Sequence, residues 1–249
     1  LWSSQGEIDP EGITIDTPSI AVDLPGTGNS IHFKVDLLPG ERINLRYFLC
    51  SLGESSFSLS GSYDLKDEES LSLNISTGSL ALEDLGVRIK ETNSPVRGTI
   101  RCGFEVSTSV RNPEETWVTG EVEAVDLSFS LNAMPSPLRD GEIVLRFSGK
   151  EVSLKSLGFR VGHSDVRIKG RLEGWDRVSG RLNIDSEYLD LSDFRKKKPG
   201  LLPKEMSSDL SAFIERSDLE LNLKVIKGRW KNMVYGPMEA ECAFRSGYF

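Results

Sequence analysis

Two-residue alternation runs through this chain from end to end, and it constrains the fold more than any other feature. In "SIHFKVDL" Ile31, Phe33 and Val35 alternate with His32, Lys34 and Asp36. In "EIVLRFSG" Ile143, Leu145 and Phe147 alternate with Val144, Arg146 and Ser148, and in "DLELNLKV" Leu219, Leu221 and Leu223 alternate with Glu220, Asn222 and Lys224. Successive side chains of a strand point to opposite faces, so this period gives strands with one face on apolar matter and the other in water. The pattern recurs in "GITIDT", "SIAVDL", "RINLRYFL", "SFSLSGSYDL", "SLSLNIS", "TIRCGFEVS", "AVDLSFSL", "EVSLKSL" and "MEAECAF". That makes about sixteen strands of ordinary length. The gaps are short and hold turn residues: Pro25-Gly26, Pro39-Gly40, Asp140-Gly141 and Gly162-His163-Ser164. Short gaps favour antiparallel neighbours, because parallel pairing needs a long crossover. The expected fold is all-β, a twisted antiparallel meander. Alternation serves a filled sandwich and an open sheet equally well, and leaves that choice open. Parity fails in "TWVTGEVEAVDL", where a β-bulge is expected near Ala124.

One segment has helical spacing instead. In "PKEMSSDLSAFIERS" Met206, Leu210, Phe213 and Ile214 share a stripe behind Pro203, which predicts a short amphipathic helix near 203–216. The basic run "RKKKPG" before it reads as a solvated loop. With 38% hydrophobic and 27% charged residues, the chain has the composition of a folded protein rather than a disordered one. Its net charge of -8 is uneven, with 9 Lys+Arg against 20 Asp+Glu in residues 1–125 and 21 against 18 in the rest. An acidic front half argues against a nucleic-acid partner. The start at Leu1 and the finish on a strand-like "CAFRSGYF" suggest a piece of a longer protein.

Three widely spaced cysteines, Cys50, Cys102 and Cys242, form neither a disulfide framework nor a zinc knuckle. They read as small buried hydrophobes, with one optional disulfide as the alternative. The two histidines, His32 and His163, adjoin no nucleophile motif, and no G-x-S-x-G, H-E-x-x-H or P-loop occurs. The acids sit mainly in turns or on wet strand faces, and "DLKDEES" (64–70) lacks the spacing and central glycine of a calcium loop. No catalytic residue, cofactor or metal is therefore expected. An outer-membrane barrel is disfavoured because the strands run shorter than the roughly 9–11 residues it needs.

Residues 136–249 carry a more particular pattern. Gly162, Ser164, Gly170 and Leu172 are followed by Leu189-Asp190-Leu191, and "LALEDL" and "AVDLSF" end earlier strand groups in the same apolar-acidic-apolar way. After a Pro-containing insert, "SDLELNLKVIKGRWKNMVYGPMEAECAF" reopens the strand pattern. This resembles the AsmA-like family, which includes the TamB and YhdP groups of bacterial envelope proteins. The likeness is stronger over 136–249 than over 1–135, and the family's inner-membrane anchoring helix is missing from this chain.

The resemblance implies an elongated open hydrophobic trough made of two sections, 1–135 and 136–249, the second with an insert at about 195–216. It implies a periplasmic place, in a parent anchored in the bacterial inner membrane, and a non-enzymatic role carrying phospholipid or another acyl lipid between inner and outer membranes. Implied partners are neighbouring segments of the same envelope protein and outer-membrane assembly proteins. The lipid-lining residues of such a trough would be Ile31, Phe33, Ile43, Leu45, Tyr47, Phe57, Leu59, Leu71, Leu73 and Ile75. Phe104, Leu127, Phe129, Leu145, Phe147, Phe159, Val166, Ile168, Leu182 and Ile184 continue the series. The competing reading is a β-sandwich adhesin or carbohydrate-binding module that uses Trp2, Trp117, Trp175 and Trp230.

Overall fold

A residue pattern that hides one face of each strand and wets the other builds sheet and little else. The computed structural model describes residues 2–8, 13–16, 20–24, 29–53, 55–66, 70–132, 134–174, 177–194 and 217–245. Its first strands are β1 (Trp2–Ile8), β2 (Ile13–Asp16), β3 (Ile20–Leu24), β4 (Asn29–Leu38), β5 (Arg42–Leu52), β6 (Ser55–Asp64) and β7 (Ser70–Thr77). Then come β8 (Leu80–Ala81), β9 (Val87–Ile89), β10 (Ser94–Pro95), β11 (Arg97–Ser109), β12 (Trp117–Phe129) and β13 (Leu138–Gly149). The last are β14 (Glu151–Val161), β15 (Ser164–Glu173), β16 (Ser179–Asp190), β17 (Asp218–Trp230), β18 (Met233–Tyr235) and β19 (Met238–Phe244). The expected helix at 203–216, the basic run 195–200, Pro25-Gly26 and Trp175 lie outside the described residues.

The all-β expectation holds. One large sheet runs β1-β4-β5-β6-β7-β11-β12-β13-β14-β15-β16-β17-β18, with β19 also on β17 and β8 on β11. The order is open and closes no barrel. A four-stranded sheet, β10-β9-β3-β2, accompanies it.

β1–β4, β7–β11 and β17–β19 join strands that are not consecutive, and one described pairing is parallel. β16 and β17 are parallel, with Ile184 opposite Leu223. A hairpin cannot join parallel neighbours. Residues 191–217 separate the two strands in sequence, long enough for such a connection.

Turn chemistry was a good guide at two places and a poor one at a third. Gly40 (φ 70°) closes the β4–β5 turn and Gly162 (φ 58°) the β14–β15 turn. Asp140-Gly141, expected to be a turn, lies inside β13, where Asp140 takes a left-handed φ of 51° without ending the strand. The break expected near Ala124 is there: Val125 and Asp126 both face solvent, with Asp126 at φ 56°, between buried Ala124 and buried Leu127.

The chain forms two compact units, Leu1–Ala124 with Arg146–Lys150 and Val125–Leu145 with Glu151–Phe249. The chain passes between them within β12, within β13 and at the β13–β14 turn. In the first unit Ile31, Cys50 and Leu52 are buried, with Phe33, Phe48, Phe57 and Leu85 against them. In the second, Val166, Leu189 and Val225 are buried, with Phe159, Ile168, Ile184, Phe194, Leu223 and Tyr235 around them. Of the three cysteines, Cys50 is buried, Cys102 is partly covered and Cys242 stands exposed on β19, so the third is not the buried hydrophobe expected. All three are free thiols.

Candidate functional site

Strand register turns the alternation into rows that cross the sheet. In the first unit Phe33 pairs Phe48, Phe48 pairs Leu59, Leu59 pairs Ile75 and Ile75 pairs Phe104. The next row on that face is Val35, Leu45, Gly61, Leu73 and Val106, followed by Ile43, Tyr63 and Leu71. Counting Gly6 of β1 beside Phe33, the first row spans six strands, about 24 Å at the usual strand spacing. The opposite face pairs Ser60 with Asn74 and Ser62 with Ser72, and Ser58 with Ser76 through their hydroxyls at 2.6 Å.

The second unit repeats the scheme. Leu154, Gly170, Leu182, Leu221 and Cys242 form one row, and Leu157, Ile168, Ile184, Leu223 and Ala240 the next. Its other face carries cross-strand ion pairs: Arg181–Glu220, Arg171–Glu151 at 3.1 Å and Lys224–Glu239 at 3.1 Å. Exposed pairs of this kind contribute little stability. Their effect is to hold that face in water.

Most of the twenty expected lining residues fall on these apolar faces, partly covered by neighbours on the same sheet yet open to solvent. That holds for Phe33, Ile43, Leu45, Phe57, Leu59, Leu71, Leu73, Ile75, Phe104, Phe129, Leu145, Phe147, Phe159, Ile168, Leu182 and Ile184. Phe104 and Phe147 meet edge to face at 5.3 Å.

Four residues are placed differently. Ile31, Leu127 and Val166 are buried. Tyr47 is on the polar face, 37% exposed. The cause is a bulge in β5, where Arg46 and Tyr47 together oppose Ser60, so parity flips and Phe48 takes the inward place. Phe48 then packs on Phe57 at 5.6 Å. Arg46, turned outward, binds Asp36 at 2.7 Å. The Arg46 guanidinium, with the Ser3 hydroxyl, holds the Asp36 carboxyl below the usual carboxylate range.

Neither apolar face is bare throughout. Leu85, between β8 and β9, packs over Ile31, Cys50 and Leu52 and seals that corner of the first unit. In the second unit Phe194 and Tyr235 close over Val166, Leu189 and Val225. The Tyr235 ring lies on Gly228, where a Cβ would come within 2.2 Å of it, and its hydroxyl donates to the Leu189 carbonyl at 2.9 Å.

Beside that corner lies a buried polar knot. The Asp193 carboxylate accepts from the His163 and Ser164 amides at 2.8 and 3.1 Å and from the Ser164 hydroxyl at 2.9 Å. Ser164 Oγ in turn accepts from the Asp190 amide at 2.8 Å. Asp190, fully buried, accepts from Ser192 and from the Arg229 guanidinium at 2.8 Å. Burial pushes the Asp190 carboxyl up, but Ser192 and Arg229 outweigh it and leave it below its ordinary value. His163, Asp190 and Asp193 could offer ligand atoms to a cation. The hydrogen bonds above already account for both carboxylates, and the knot ties the β14–β15 turn to the end of β16 and to β17.

No known protein family, curated protein or solved structure matches this chain. The reading of the site therefore rests on its own geometry. A depression of about 390 Å³ lies where β6, β7, β11 and β12 meet; Ser58, Ser60, Asn74, Ser76 and Glu105 line it together with Ile75 and Phe104. Among the tryptophans, Trp117 of the first unit and Trp230 of the second are exposed, while the Trp2 and Trp175 side chains lie outside what is described. Asp64, expected in a solvated acidic tip, is bound by Arg42 at 2.6 Å.

Proposed function

We propose that this chain is a non-enzymatic lipid-binding segment, in which the apolar sheet faces form a trough for the acyl chains of phospholipid. The observation that carries this reading is the set of apolar rows, continuous across neighbouring strands and left partly open to solvent, backed by a face of serine, asparagine and ion pairs. Two acyl tails of about thirty CH₂ groups cost on the order of 25 kcal/mol to expose to water, at about 0.8 kcal/mol each. A largely apolar strip lowers that barrier without any chemical step. The polar headgroup stays in solvent at the open side.

The resemblance of residues 136–249 to AsmA-like envelope proteins supports the wider setting: a periplasmic section of an inner-membrane-anchored protein that passes phospholipid toward the outer membrane. Gly162, Ser164 and Asp190, three residues of that pattern, sit in the polar knot. The test is native mass spectrometry of the purified chain after incubation with phosphatidylethanolamine vesicles. Bound phospholipid that is lost on Ile75→Asp with Leu73→Asp supports the proposal. A lipid-free chain, or one that loads equally well with both aspartates present, overturns it.

A further inference from the structure

The β17–β18 hairpin carries a surface that the trough does not use. Of the thirteen large hydrophobic side chains exposed among the described residues, six lie in one corner of the second unit: Leu191, Ile226, Trp230, Met233, Val234 and Met238. Register sets them on both faces of the hairpin end. Trp230 pairs Met233 and shares a face with it, while Val234 pairs Arg229 on the opposite face. Asp190 pairs Arg229, which puts Leu191 next to Trp230, and Met238 pairs Val225 next to Ile226. Met233 and Val234 are 60% and 66% exposed, unusual values for such residues in a folded chain.

Charge selects the partner. Residues 226–238, "IKGRWKNMVYGPM", hold Lys227, Arg229 and Lys231 and no acid, within a chain of net charge -8. Arg229 is held by buried Asp190. Among the described residues Lys227 and Lys231 pair with no carboxylate, and the Lys231 ammonium sits 5.6 Å from the Trp230 ring centre. A tryptophan and unpaired lysines bordering bare aliphatic side chains match the boundary between headgroups and acyl chains, where indole rings settle and lysines meet anionic lipid.

We infer that the β17–β18 hairpin docks on an anionic bilayer surface. Trp230, Met233 and Val234 enter the headgroup boundary, and Lys227 and Lys231 meet the anionic headgroups. The inference stands apart from the trough reading, because it uses none of the trough's side chains.

The experiment is co-sedimentation of the whole chain with phosphatidylcholine vesicles, with and without one third phosphatidylglycerol. The expected result is binding to the anionic vesicles that weakens with salt and falls about fivefold for each of Lys227→Gln and Lys231→Gln. Trp230→Ser with Met233→Ser should abolish it. All four side chains are exposed, so an unchanged melting temperature verifies folding of each variant. No binding to anionic vesicles overturns the inference, as does binding indifferent to these substitutions. So does a dimer of the chain that Trp230→Ser with Met233→Ser dissociates, since the patch would then be an interface between copies. Phospholipid loading by native mass spectrometry should be the same in these variants as in the parent, so trough and docking surface fail separately.

Discussion

Ser164→Ala removes a single oxygen from the second unit, and the cost follows from two contacts. Ser164 is 1% exposed; its hydroxyl donates to the Asp193 carboxylate at 2.9 Å and accepts from the Asp190 amide at 2.8 Å. A hydrogen bond to a charged acceptor contributes about 1.5–3 kcal/mol, and a buried amide left without an acceptor costs about 1–3 kcal/mol more. The two together give about 2.5–6 kcal/mol. For a chain of this size each kcal/mol moves Tm by about 2–4 °C, so the variant should melt roughly 5–24 °C lower. Two units need not unfold in one step, so the melt should be paired with amide hydrogen exchange, which locates the opening. Loss of protection should concentrate at the ends of β14, β15 and β16. A Tm within about 2 °C of the parent, with exchange there unchanged, would refute the claim that this knot fastens those strands.

Three further outcomes follow from the same structure. Asp36 and Asp190 ionise below their ordinary range when folded, so their stabilisation is complete above an unfolded carboxyl pKa of about 3.9 and drains away as pH falls through the lower folded values. Tm should hold from about pH 7 to 5 and drop below about pH 4, less steeply in Asp190→Asn; a decline beginning near pH 6 contradicts this. Gly228→Ala would set a methyl 2.2 Å from the Tyr235 ring and should destabilise by about 1–3 kcal/mol in urea titrations, whereas an unaltered midpoint denies the stacking. Tyr47→Ser, on the wet side of the β5 bulge, should leave phospholipid loading intact while Ile75→Asp removes it; equal effects would erase the distinction between the faces.

Much of the fold was legible because a half-buried strand writes its two faces into alternate residues. The rows through Leu59, Ile75 and Phe104, and through Ile168 and Ile184, are read directly from that parity. Legibility ended where the backbone adds a residue. At Arg46–Tyr47 the bulge passes the inward place from Tyr47 to Phe48, and neither side chain betrays the switch. Asp140-Gly141 has the composition of a turn, yet a single left-handed residue is absorbed within β13. The parallel β16–β17 pairing was hidden for another reason: each strand shows the same alternation in either direction, and only the length of the connection favours the parallel one. The polar knot was visible only as scattered letters. Gly162, Ser164 and Asp190 stood out by spacing, but Asp193 and Arg229, their essential partners, carried no local signal.

The central claim concerns which side of the sheet meets acyl chains, and site-specific photo-crosslinking reads it directly. A benzophenone side chain placed at Leu73, Phe104, Ile168 or Leu182 should capture phospholipid when the chain is illuminated with vesicles. The same group at Ser72, Asn74, Lys169 or Asn183, one residue away on the other face, should capture none. Adducts spread evenly over both sets, or absent from the first, would contradict the account.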